Sequence, residues 1–217
     1  MKEPSVKSQE AIMKIRQGMA KFQTEVHPTR RAMFERLAHG QEPLALFITC
    51  ADSRIDPNLI TQMEPGDLFI ERNPGNLVPR HEEFVGGVSS GIEYAMLALK
   101  VPLVVICGHT DCGVMKGLLH PEKVEHLPAV RDWMRHAADA RKRLLAGPDA
   151  PDEEKLRLLT KINVQVQIAN LKTHPSVQAR LAAGDLEIRG WVYDIASGSG
   201  WGLDPQTGQF LHLSEIL

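Results

Sequence analysis

Apolar residues recur at helical spacing from about Val6 to His39, with Ile12, Ile15, Met19, Phe22 and Val26 forming a stripe until His27-Pro28 interrupts it. This arm precedes the first strand-like segment. Three short runs then read as strands, Leu44 to Thr49, Asp67 to Glu71 and Pro102 to Cys107, with a helical stretch from Gly87 to Lys100 between the last two. Strands alternating with helices predict crossover connections and a parallel sheet. The first and third runs are apolar on both faces, as central strands covered by helices on each side must be. Helical patterns follow near Leu127 to Leu145 and Glu153 to Thr173, separated by the polar break GPDAPD. A further strand is expected from Leu186 to Ile195, then the turn-rich SGSGWGLD and a short closing run from Phe210 to Leu213. No repeat, low-complexity segment or long linker divides the chain. The pattern predicts one α/β domain over residues 1–217, with a helical arm at 1–40.

Composition narrows the function classes. A chain of 217 residues with 43% hydrophobic and 24% charged residues can bury one sizeable core. The formal charge of −2, without a Lys/Arg block, gives no reason to expect nucleic acid or an anionic membrane as partner. The opening MKEPSVKSQE lacks the apolar stretch of a secretory signal, and LALFITCA and PLVVIC are too short to span a bilayer. A cytoplasmic protein acting on small molecules is expected. In a reducing compartment an odd count of 3 cysteines suits metal thiolates better than a disulfide framework.

Candidate chemistry is concentrated in two short segments, Cys50-Ala51-Asp52-Ser53-Arg54 and His109-Thr110-Asp111-Cys112-Gly113, each directly after a strand-like run. Ligands in open α/β sheets gather at the carboxyl ends of strands. If the first and third strands are neighbours, Cys50, His109 and Cys112 meet at one sheet edge. Alone, Cys50 would read as a small buried hydrophobe and His109 as a loop residue facing water. Together, two thiolates and one imidazole form the three-ligand set of a catalytic zinc, which keeps its fourth position open. Cys107 ends the run VVIC and reads as core. GGVSSG lacks the Walker and Rossmann spacings and reads as a helix start. His126 and His136 are expected on an exposed helix, and the remaining histidines have no ligand spacing.

Cys-x-Asp-x-Arg followed by His-x-x-Cys, as CADSR and GHTDCG, resembles the signature of the β-class carbonic anhydrases, and the similarity runs through nearly the whole chain. Within the class the sequence is most similar to bacterial enzymes associated with cyanate metabolism and, more distantly, to plant chloroplast enzymes. The resemblance implies four parallel strands plus a C-terminal strand, flanked by helices. It also implies a homodimer wrapped by the N-terminal helices and open to further association into a tetramer or octamer. The implied cofactor is one Zn2+ per chain on Cys50, His109 and Cys112, and the implied reaction is interconversion of CO2 and bicarbonate by zinc-bound hydroxide. Asp52 would orient the attacking oxygen, and Arg54 would hold Asp52 ionised through a bidentate pair. Gln41 matches a glutamine that reaches substrate from the partner subunit, while Phe69, Tyr94 and Gly113 match residues lining the CO2 pocket or its mouth. Pro74 departs from the small or branched residue common in relatives. Phe47, Arg72 and Tyr193 match a noncatalytic bicarbonate pocket that one branch builds from Trp, Arg and Tyr, and phenylalanine has no N–H to donate there. Two other readings stay open at this level. One is a carbon disulfide or carbonyl sulfide hydrolase on the same scaffold, and the other is a noncatalytic zinc protein, which would have no use for Asp52, Arg54 and Gln41.

Overall fold

Four parallel strands, extended at the β4 edge by two strands in antiparallel pairing, form one sheet in the order β2-β1-β3-β4-β5-β6. The strands are β1 (Ala45–Cys50), β2 (Leu68–Asn73), β3 (Leu103–His109), β4 (Glu187–Tyr193), β5 (Gly200–Leu203) and β6 (Phe210–His212). The computed structural model describes residues 5–83 and 86–216; the first four residues of the polar opening segment, Phe84, Val85 and Leu217 lie outside the described residues. The chain divides into two units, Met1–Gln41 and Glu42–Leu217.

In the first unit, helix α1 (Val6–Lys21) is capped by Ser5, whose Oγ accepts from Ser8 N–H at 3.3 Å. Pro28 has no N–H for the helical ladder, so the chain passes through a π turn at Phe22–Val26 and a 3-10 turn at His27–Arg30 before α2 (Arg31–Leu37). The rings of Phe22, His27 and Phe34 pack together at this bend. The stripe expected on the arm is present, and Ile12, Ile15 and Met19 are exposed on it.

In the second unit the helices are α3 (Pro57–Thr61), α4 (Gly87–Leu97), α5 (Gly113–Leu119), α6 (Pro128–Trp133), α7 (Ala138–Leu145), α8 (Asp152–Leu171), α9 (Pro175–Ala183) and α10 (Leu213–Ile216). Every residue of β1 is buried, and side chains alternate between faces as a pleat requires. Leu46, Ile48, Val104 and Ile106 pack with Ile92 and Met96 of α4, Val164 and Leu171 of α8 and Val177 of α9. Phe47, Val105 and Cys107 face the other way, against Trp191 and Tyr193. Cys107 is core as expected, and burial pushes its thiol up to about 12. GGVSSG does start a helix, at Gly87. No helix among the described residues is long and apolar enough to cross a membrane.

The C-terminal sheet edge differs from expectation. SGSGWGLD contains strand β5, which is antiparallel to β4 and pairs antiparallel with β6, so two strands extend the parallel set instead of one. Gly200 and Gly202 carry little strand propensity, and α10 packs its side chains directly against them. A Cβ at Gly202 would lie 2.9 Å from Ile216 Cδ1 and 3.0 Å from Leu213 Cδ2. Both hairpins turn on an aspartate: Asp194 Oδ1 accepts from Ala196 and Ser197 N–H, and Asp204 Oδ1 from Gln206 N–H. The histidine expectation fails as well. His126 lies in a turn, and His136 is buried in a 3-10 turn, its ring edge-on to Trp133. Remote contacts from α8, whose Gln167 and Asn170 amides donate to the His136 carbonyl at 3.1 and 3.3 Å, accompany this buried position.

Candidate metal centre

Cys50 and His109 end β1 and β3, which are parallel neighbours with Thr49 opposite Cys107, so the pairing brings the two residues to one edge of the sheet. Past His109 the chain turns sharply. Thr110 N–H donates to Tyr193 O at 2.9 Å, Asp111 adopts a left-handed φ of 61°, and Cys112 becomes the N-cap of α5. Cys50 Sγ, Cys112 Sγ and a ring nitrogen of His109 thereby converge within 4.8 Å of one another. All three residues are buried.

The donor chemistry fits a thiophilic dication such as zinc. His109 Nδ1 lies 2.8 Å from Thr110 O, a contact that requires Nδ1 to carry the proton and leaves Nε2 with a bare lone pair. Nε2 is buried with no hydrogen-bond partner among the described residues, a costly arrangement unless it coordinates something. The Cys50 thiol is lowered to about 4, first by its hydrogen bond with Cys112, while the same bond pushes Cys112 well above the usual thiol range. The two sulfurs share a hydrogen bond, and a dication bound between them would take both as thiolate ligands.

Asp52 faces this cluster, its Oδ2 4.0 Å from His109 Nε2. Arg54 grips it bidentately, Nε donating to Oδ1 at 2.9 Å and Nη2 to Oδ2 at 2.8 Å. These bonds hold the Asp52 carboxyl far below the usual carboxylate range, and the pairing raises the guanidinium in turn. Arg72 donates through Nε to Cys50 O at 3.2 Å and through Nη2 to Asp52 O at 2.8 Å, so it braces the main chain of the first motif.

Beside Cys50 runs the loop Asn73–Leu77, in which the family resemblance singled out only Pro74. Gly75 N–H donates to Cys50 Sγ at 3.3 Å. Only glycine fits, because φ is 80° and a Cβ would lie 2.7 Å from Val114 Cγ1. Three buried amides of α8 support the loop from behind. Asn163 Nδ2 donates to Gly75 O at 3.2 Å, Val78 N–H to Gln167 Oε1 at 2.8 Å, and Asn170 Nδ2 to Val78 O at 2.9 Å. Asn163, Gln167 and Asn170 lie on one helical face, and this polar stripe within a buried helix is the signal that could have revealed them. Pro74, the departure noted in the sequence, accepts through its carbonyl from Trp133 Nε1 at 2.9 Å.

The other predicted residues are distributed differently. Gly113 follows Cys112 as the first residue of α5. Phe69 and Tyr94 meet each other, with ring centroids 5.9 Å apart. Phe69 pairs with Leu46, whereas Asn73 pairs with Cys50. Phe69 thus lies roughly 13 Å back along the strand from the level of Cys50, at about 3.3 Å per residue. Gln41 is the last residue of the first unit and is exposed. Phe47 is buried at the β1 position noted above.

Comparison with known proteins agrees with this geometry. The family model described as carbonic anhydrase matches residues 45–200. The carbonic anhydrase of Pseudomonas aeruginosa is 45% identical over 198 residues, covering 91% of this chain and 90% of that one. Carbonic anhydrase 1 of Escherichia coli O157:H7 is 47% identical over 197 residues, with the same coverage of 91% and 90%. The solved structure of the β-carbonic anhydrase CcaA superposes with a TM-score of 0.89 at 38% identity, covering 93% of this chain and 99% of that one.

Proposed function

The chain belongs to the carbonic anhydrase family, in its β class, and from that premise we propose that Cys50, His109 and Cys112 hold one zinc ion per chain and that Asp52 and Arg54 serve the reversible hydration of CO2. Zinc, when bound, supplies a Lewis acid that makes water nucleophilic near neutral pH. The observation that carries the reading is the convergence of three buried ligand atoms beneath a carboxylate held ionised by a guanidinium.

Asp52 is a hydrogen-bond acceptor only, because Arg54 keeps it ionised. It accepts from the attacking water and turns an oxygen lone pair toward the carbon of CO2. A C–O bond forms, one C=O π pair moves onto oxygen, and the water's proton passes to solvent or buffer, leaving bicarbonate. Arg54 holds the orientation of Asp52 without touching the reacting atoms, and Arg72 fixes the carbonyls on either side of Ala51. His109, locked by Thr110 O, presents Nε2 alone.

Phe69 lies too far along β2 to serve the same centre as Cys50, and Tyr94 stacks beside it. We assign both, with Gln41, to the site of a neighbouring subunit in a cytoplasmic homodimer. The exposed apolar stripe of α1 supports the same assembly. Stopped-flow CO2 hydration with and without a chelator tests the function. The expected result is zinc-dependent hydration, and hydration no faster than buffer with zinc loaded would overturn it.

A further inference from the structure

Arg54 is held from two sides. Opposite Asp52, its Nη1 donates to Asp111 Oδ2 at 2.9 Å and its Nη2 to the Asp111 carbonyl at 3.2 Å. Asp111 Oδ1 in turn pairs with Lys116 Nζ on α5, the helix that Cys112 caps. The four charges alternate along one chain, Asp52, Arg54, Asp111, Lys116. Because Arg54 belongs to the segment after β1 and Asp111 to the segment after β3, this chain cross-links the two loops that supply the ligands.

Two features separate this contact from an ordinary surface pair. First, a single ion pair between side chains 44% and 51% exposed contributes little to stability, so its value lies in direction. A guanidinium is planar, and fixing its Nη1 edge on Asp111 fixes the plane in which Nε and Nη2 meet Asp52. Second, Asp111 holds a left-handed φ of 61°, a conformation that glycine adopts without strain and other residues adopt at a cost. Glycine would suit the turn better, yet the chain carries the residue whose carboxylate reaches Arg54.

We infer that Asp111 is a positioning residue for CO2 hydration, which sets the plane of Arg54 and through it the orientation of the Asp52 carboxylate. The inference rests on the role proposed above for Asp52. Asp111 touches neither metal ligand atoms nor substrate in this scheme and acts only through Arg54.

The test compares Asp111→Gly, Asp111→Asn, Asp52→Asn and the double variant Asp52→Asn/Asp111→Gly as zinc-loaded proteins. Asp111→Gly removes the carboxylate and relieves the backbone, and Asn tolerates the left-handed region, so both should fold with one zinc per chain and an undiminished Tm. kcat/KM should fall about tenfold in each, as for loss of a partner one shell removed from a reacting group. In the double variant, Asp111→Gly should add less than about twofold to the loss caused by Asp52→Asn, because the two changes act through one group. Arg54 guanidinium resonances give a reading independent of activity: resolved Nη–H signals in the wild type should collapse in Asp111→Gly as rotation is freed. Unchanged Arg54 resonances, a wild-type rate in Asp111→Gly or fully multiplicative losses in the double variant would overturn the inference while leaving the dyad intact. A wild-type rate in Asp52→Asn would instead overturn the role of Asp52 on which it rests.

Discussion

Arg54 meets Asp52 edge to edge, with Nε and Nη2 each donating to a different carboxylate oxygen at 2.9 and 2.8 Å, and this fixes which face of the carboxylate looks toward His109. Asp52→Asn keeps the shape and removes the charge. It should retain zinc while kcat/KM falls by roughly tenfold to a thousandfold, the range for losing one preorganised electrostatic contact. Metal analysis beside stopped-flow kinetics checks both halves, and unaltered kinetics would refute the role.

The same pair sets a pH expectation. Because Arg54 depresses the folded-state value of Asp52, its stabilisation is complete above the unfolded-state value and is lost only as pH falls through the lower folded one. Between about pH 5 and 9 Asp52 therefore stays ionised and contributes no step to activity. Activity should rise from neutral toward alkaline pH for another reason. Two thiolates offset the charge of the dication and leave the attacking water less acidic than three neutral histidines would. A rate profile with its maximum below neutrality would contradict the thiolate argument.

Replacing Cys50 or Cys112 by Ser should remove metal and activity together, since a hydroxyl is a far poorer ligand for zinc than a thiolate. Full zinc occupancy in both purified variants would disprove the coordination.

Gly75→Ala tests the loop beside Cys50. The left-handed backbone and the 2.7 Å approach to Val114 Cγ1 should together cost about 2 to 4 kcal/mol. Tm should drop by roughly 5 to 15 °C, and zinc should be held less tightly because the N–H donor to Cys50 is displaced. An unchanged melting curve would show that the loop has more room than its contacts indicate.

Deleting residues 1–39 should uncover apolar surface and yield aggregated or inactive protein if the stripe of Ile12, Ile15 and Met19 docks on a second copy. Light scattering decides the matter, and a fully active monomer would exclude the dimer role of the arm.

Bicarbonate should inhibit without cooperativity. Phe47 offers no donor at the position where one branch of the family has Trp, and Arg72 is engaged with the carbonyls of Cys50 and Asp52. Sigmoidal inhibition by bicarbonate near neutral pH would count against this.

By itself the sequence determined the parallel strands, the helical arm and the three residues, Cys50, His109 and Cys112, whose ligand atoms converge. These are written in short-range patterns: runs apolar on both faces mark the central strands, and Cys50, His109 and Cys112 each sit within a few residues of such a run. Once β1 and β3 pair in register, their convergence follows from the carboxyl-end rule. Strand β5 is hidden because its glycines carry little strand propensity, and the placement of His136 because it is tied to α8, whose Gln167 and Asn170 amides donate to its carbonyl from 31 and 34 positions away. The supports of the site were equally out of reach. Gly75 is dictated by Val114, the α8 amides by carbonyl and N–H groups almost ninety residues away, and the grip of Asp111 on Arg54 spans 57 positions. Local spacing identifies which atoms can bind a metal, whereas their orientation depends on hydrogen bonds and contacts between distant segments, which exist only when the sheet and helices have packed.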